Sequence, residues 1–113
     1  AQKATRDLFA TPAPPDAVFV TNDHMAFAAM DVLRFELGLR IPKDVSVVGY
    51  DDVALAAWPS YNLTTMRQPA NRMVAETVRM LLTQIEDPEA EPRLVLINGP
   101  LIIRGSAKRP EGT

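Results

Sequence analysis

With 113 residues, 47% of them hydrophobic and 23% charged, the chain is at most one globular domain, able to bury roughly two thirds of its unfolded surface. A net charge of −2, with the 12 Lys and Arg scattered, excludes the basic patch that a grip on nucleic acid needs. The absence of cysteine excludes a disulfide, a thiolate nucleophile and a cysteine-based zinc site, and no apolar run is long enough to cross a bilayer. The expected location is therefore the cytoplasm, with no membrane among the partners.

Residues 1–10 place Ala1, Ala4, Leu8 and Phe9 at helical spacing, as the end of a longer helix would. Opening inside a helix without Met, residues 1–113 read as a fragment. Three prolines in 11–15 stop that helix, since proline lacks the amide donor. Residues 17–21 predict a first strand. Over 23–37 the apolar period becomes helical: Ala26, Ala29, Met30, Leu33 and Leu37 form one stripe, and Met25, Ala28, Val32 and Phe35 a second. Gly38 terminates the helix.

Residues 45–49, Val-Ser-Val-Val-Gly, carry no charge and are rich in β-branched side chains, the pattern of a parallel strand buried on both faces. A short helical turn is expected within 53–58, closed by Pro59, and a strand over 63–67. Pro69 suits the first position of a helix that runs to Ile85. Residues 86–92 form an acidic, proline-bearing loop, and 94–97 and 101–103 read as short strands. Alternation of strand and helix gives an α/β class, with right-handed crossovers making the sheet mostly parallel and flanking it with helices.

Two of these strands end on polar residues: Thr21-Asn22-Asp23 after the first, Asp51-Asp52 after the second. In open parallel sheets the carboxyl ends of strands are where ligands bind, because loops converge there and helix amino termini point at them. Asn22, Asp23, Asp51 and Asp52 would share that rim.

Several segments together resemble the LacI/GalR family of bacterial transcriptional regulators. They are Phe19-Val20-Thr21-Asn22-Asp23-His24-Met25-Ala26, the run from Gly38 to Asp52, Leu63-Thr64-Thr65-Met66-Arg67-Gln68-Pro69, and Leu101-Ile102-Ile103-Arg104-Gly105-Ser106. All four stand in family order with family-like spacing. The resemblance implies a periplasmic-binding-protein-like (type I) effector domain whose two α/β subdomains close on a small molecule, a sugar or nucleoside-like effector. Residues 1–113 match its carboxyl-terminal part only. The amino-terminal DNA-binding domain lies outside them, so DNA is reached only through that missing domain. The resemblance also implies a homodimer to which the helix over 23–37 contributes Phe27 and Met30.

Each candidate residue has a plainer reading. Asn22 and Asp23 are both good helix caps, the side-chain oxygen accepting an orphan amide. The resemblance makes Asn22 a ligand contact, its amide able to donate to and accept from a hydroxyl, and leaves Asp23 structural. Asp51 can cap, or by the resemblance accept hydrogen bonds from ligand hydroxyls or a base nitrogen; Asp52 reads as a turn or cap residue. Gln68 is either a third ligand contact or a hydrogen-bonded hinge residue. Arg67 reads as a surface ion-pair partner, and Trp58, beside Pro59, as a packing residue.

His24 has no Ser or Cys nucleophile motif beside it, so no catalytic residue is assigned and the chain is not read as an enzyme. No metal or other cofactor is expected. Two rivals remain: a fragment of a periplasmic solute-binding protein, and a receiver-like phosphoacceptor domain. The second needs a further mid-sheet Asp and a Lys at a strand end, and neither is in place.

Overall fold

The computed structural model describes residues 1–111. They divide into two compact units: residues 1–67 with the chain from Leu101 onward, and residues 68–100.

The first unit begins with α1 (Gln2–Phe9), then β1 (Ala17–Phe19) and α2 (Asp23–Asp31), which runs on through a π-helical turn at Val32–Glu36. β2 (Ser46–Asp51), a 3-10 turn at Ala54–Ala57, β3 (Thr64–Arg67) and β4 (Leu101–Ile102) complete it. The strands form one sheet in the order β1-β2-β3-β4. β1, β2 and β3 run parallel, and β4 is antiparallel to β3. The architecture is α/β with a mostly parallel sheet, as the alternating pattern predicts.

Helix α2 lies on β2 with the first of its two stripes, and α1 packs on α2 and the π turn. Ala26, Met30 and Leu33 are fully buried and meet Val45, Val47, Ala56 and Leu63 in one core. Each such Met, Leu or Val side chain contributes about 1.5–3 kcal/mol by leaving water. Arg6 ties α1 to the π turn through two bonds to Glu36, at 2.6 and 2.8 Å. Gly38 ends the π turn with φ +66°, a conformation glycine adopts without strain.

Several expectations are corrected. Phe27 and Met30, expected at a homodimer interface, are 5% and 0% exposed and belong to this unit's own core. The reason is Tyr61: the chain after the 3-10 turn brings its ring against Phe27, 4.3 Å between centroids and stacked, over the face that periodicity left open. The most exposed apolar residue of this helix is instead Phe35, 80% accessible. Trp58, expected to pack, is exposed. β2 is buried on one face only: Val47 and Gly49 lie under α2, whereas Tyr50 alternates to a face this unit leaves open.

The second unit is α3 (Ala70–Glu86), with Pro69 as its N-cap, followed by residues 87–100 without regular structure. None of the α3 residues is buried, and Val74, Val78, Leu81 and Ile85 form an exposed apolar stripe. The strand expected over 94–97 does not form. Leu94 and Leu96 are exposed, and a β-rich segment without a partner ladder cannot satisfy its amides as a strand. Among the described residues no helix is long and apolar enough to cross a membrane.

Candidate functional site

Parallel pairing decides what the strands deliver to the sheet's carboxyl rim. Phe19 pairs with Val48, and the Val20 amide donates to the Val48 carbonyl at 2.8 Å. Asn22 and Asp51 each follow a member of that pair by three residues, so the register brings both to one rim. Gln68 follows β3 directly but opens the second unit, where it is exposed and its carbonyl accepts from the Ala70 amide at 2.9 Å.

Asn22 is extended, with φ −151°, and its Oδ1 accepts from the Met25 amide at 2.8 Å, capping α2. Capping occupies the oxygen end of the amide. The Nδ2 end remains to donate, so the cap and ligand readings are compatible in one side chain.

Asp23 has a wholly structural setting. It is fully buried; Oδ1 accepts from the Thr65 hydroxyl at 2.6 Å and Oδ2 from the Val53 amide at 3.0 Å. It thus links the start of α2 to β3 and to the chain just past Asp51-Asp52. Room for it exists because residue 49 is glycine. A Cβ there would fall within contact distance of Asp23 Oδ1 and 2.8 Å from Leu63 Cδ2.

Asp51 and Asp52 have φ of +138° and +61°. Asp is tolerated in the left-handed region better than most residues, yet two successive positive φ values outside glycine cost on the order of 1–3 kcal/mol each. Such strain persists only where neighbours hold it. Here the holders are side chains from elsewhere: Asp52 Oδ1 accepts from Arg104 Nη2 at 2.7 Å, and Oδ2 from Arg67 Nε at 2.7 Å. Burial pushes the Asp52 carboxyl up, but the hydrogen bonds and charges of Arg104 and Arg67 outweigh it and hold the group below the usual carboxylate range. The expectation that Asp52 is a simple turn or cap residue gives way to a doubly paired carboxylate whose side chain is 6% exposed.

Arg104 has its own anchors. Its Nη1 donates to the Leu63 carbonyl at 2.9 Å, and its amide donates to the Thr64 hydroxyl at 2.9 Å. Two residues on, buried Ser106 accepts from the Thr64 amide at 2.8 Å and donates to the Val47 carbonyl. Residues 104–106 therefore stitch β3 to β2. Sequence reasoning assigned Arg104 no role. Asp52 and Arg104 stand 52 positions apart, and no local spacing signals their pairing.

Among the described residues the site shows no acid–base pair aimed at a common point and no nucleophile beside a base. Among the described residues no group of three or more His, Cys, Asp or Glu side chains is placed to hold a metal ion. What the rim offers is an amide donor and a carboxylate on a stiff frame, which is chemistry for binding hydroxyls or ring nitrogens.

Residues 1–107 match the model of the periplasmic binding protein-like domain. A probable HTH-type transcriptional repressor, ExuR, of Bacillus subtilis (strain 168) is 36% identical over 107 residues, which is 95% of this chain and 32% of the repressor. A solved complex of the transcriptional regulator CelR with cellobiose superposes with a TM-score of 0.83 at 37% identity, over 94% of this chain and 32% of that one. A LacI family transcriptional regulator from Lactobacillus casei with bound sucrose superposes with a TM-score of 0.73 at 31% identity, over 94% and 39%. The chain thus spans about a third of the length of the curated relative.

Proposed function

The chain belongs to the periplasmic binding protein-like domain family, in the branch formed by LacI-type transcriptional regulators, and we propose that it supplies one wall of a sugar-sensing cleft in such a regulator. The observation that carries this reading is the β1–β2 register, which sets Asn22 and Asp51 on one rim at the carboxyl ends of neighbouring parallel strands. The Asn22 Nδ2 group donates to a sugar hydroxyl while its oxygen caps α2. Asp51 accepts from a hydroxyl, a charge-assisted bond that is strong where water is excluded. Gln68 is a further ligand contact in this reading. The similarity to regulators solved with cellobiose and with sucrose supports a sugar effector.

The protein is a sensor and not an enzyme. The effector binds one arrangement of the regulator better than another, and that difference in affinity shifts the population. DNA is contacted only by parts outside residues 1–113, which form a fragment of the effector domain, and the whole works in the cytoplasm as a homodimer. With Phe27 and Met30 internal, the second copy is met through Phe35 or the apolar stripe of α3.

Calorimetric titration of the full-length regulator with cellobiose and with sucrose tests this. Binding of at least one sugar is expected, weakened tenfold or more by Asp51→Ala. Equal binding by the Asp51→Ala variant removes Asp51 from the site, and no binding of either sugar overturns the sugar reading.

A further inference from the structure

The backbone at Asp51-Asp52 is the most constrained place on the rim. Both residues have positive φ, and neither is glycine. Residues in sparsely populated conformations revert to ordinary ones unless their surroundings over-determine them. Contacts from three different parts of the first unit supply that here. Arg67 at the end of β3 and Arg104 beyond β4 each hold one oxygen of Asp52, and Asp23 at the start of α2 holds the Val53 amide. Arg104 is only 15% exposed and is itself fixed to Leu63 and Thr64, so the clamp is anchored in the sheet and does not hang in solvent.

A turn residue needs no second guanidinium. A side chain 6% exposed that satisfies both oxygens with separate arginines has its position fixed from two directions. Because Asp51 and Asp52 share a peptide unit, fixing Asp52 fixes the backbone from which Asp51 projects. We propose that Asp52 is a positioning residue: gripped by Arg104 and Arg67, it holds the strained backbone that presents Asp51 to the effector. This rests on the reading of Asp51 as an effector contact. It adds that the carboxyl-terminal segment, through Arg104, sets how well that contact is made.

Two measurements test it. On the 113-residue chain, amide hydrogen exchange is compared at Val53, beside the clamp, and at Val47, whose amide donates to Ser106 in the sheet. Asp52→Asn keeps the shape and the tolerance of positive φ but removes the charge; Asp52→Gly relaxes the strain and removes the clamp. Both are expected to speed exchange at Val53 tenfold or more and to leave Val47 within threefold. On the full-length regulator, Asp52→Asn is expected to weaken cellobiose or sucrose binding tenfold or more. Val53 exchange within twofold of wild type overturns the clamp. Equal acceleration at Val47 reduces Asp52 to general stability and also overturns it. Unchanged sugar affinity overturns its role in recognition. If wild type binds neither sugar, it is the effector reading that falls, and the exchange ratio still decides the clamp.

Discussion

Replacing Gly49 by alanine probes the frame of the site with a single methyl group. The added carbon would collide with Asp23 Oδ1 and stand 2.8 Å from Leu63 Cδ2 and 3.4 Å from Thr65 Oγ1, all in the buried layer under α2. Overpacking of this kind costs about 1–3 kcal/mol. Moving the Asp23 carboxylate aside also loosens its bonds from Thr65 and Val53, and each bond to a charged group is worth about 1.5–3 kcal/mol. Losing one of them brings the sum to about 2.5–6 kcal/mol, a large share of the ~5–15 kcal/mol typical of a whole domain. At roughly 4–8 °C per kcal/mol for a small domain, the melting midpoint should fall by at least ~10 °C. Circular dichroism on purified chains reads this directly. Asp23→Ala in the same background removes the colliding oxygen, so the two changes should be non-additive by about 1–2 kcal/mol. A Gly49→Ala melt within ~2 °C of wild type would refute the close approach of Asp23 to β2.

Acid titration separates two carboxylates. Hydrogen bonds from the Arg40 side chain and backbone hold Asp44 down to about 2, so its folded value lies below its unfolded one. The stabilisation is therefore present above the ordinary carboxylate range and lost as pH falls towards about 2. Carbon-13 titration should place the Asp44 midpoint there, and Arg40→Gln should return it towards 3.8; an unchanged midpoint contradicts the pairing. Asp52 has the same sign, and Arg104→Gln should raise its midpoint. For assembly, sedimentation at tens of micromolar should show a species larger than the 12.4 kDa monomer, reduced to monomer by Phe35→Glu or by Val78→Glu. A monomer in the unmodified chain would sink the homodimer.

Local chemistry made much of the fold legible. Prolines in 11–15, Gly38 and Pro69 mark ends that the structure respects, because each acts through its own backbone. The charge-free run before Gly49 is the central strand for the same kind of reason. What local reading could not supply was which face each apolar residue meets. Phe27 falls in neither apolar stripe of its helix; only the return of the chain after the 3-10 turn, carrying Tyr61, makes it core. The segment 94–97 has the composition of a strand and lacks a neighbour to pair with. Sheet formation is non-local, and composition is silent on it.

The candidate site divides along the same line. That Asn22, Asp23, Asp51 and Asp52 share a rim was legible because the strand-end pattern is local to each pair, and parallel pairing then aligns the two strand ends. Choosing Asn22 and Asp51 among them came from the family resemblance. The support for them was not. Asp23 reaches Thr65 across 42 positions, and Asp52 reaches Arg104 across 52. These long-range bonds convert a rim of polar residues into a frame with fixed geometry. A ligand hydroxyl gains little from a carboxylate that must first be ordered, since ordering consumes part of the binding free energy. A backbone already strained and clamped has met that cost during folding. If Asp51 contacts the effector as proposed, substitutions in the 104–106 segment should alter sensing without touching the ligand.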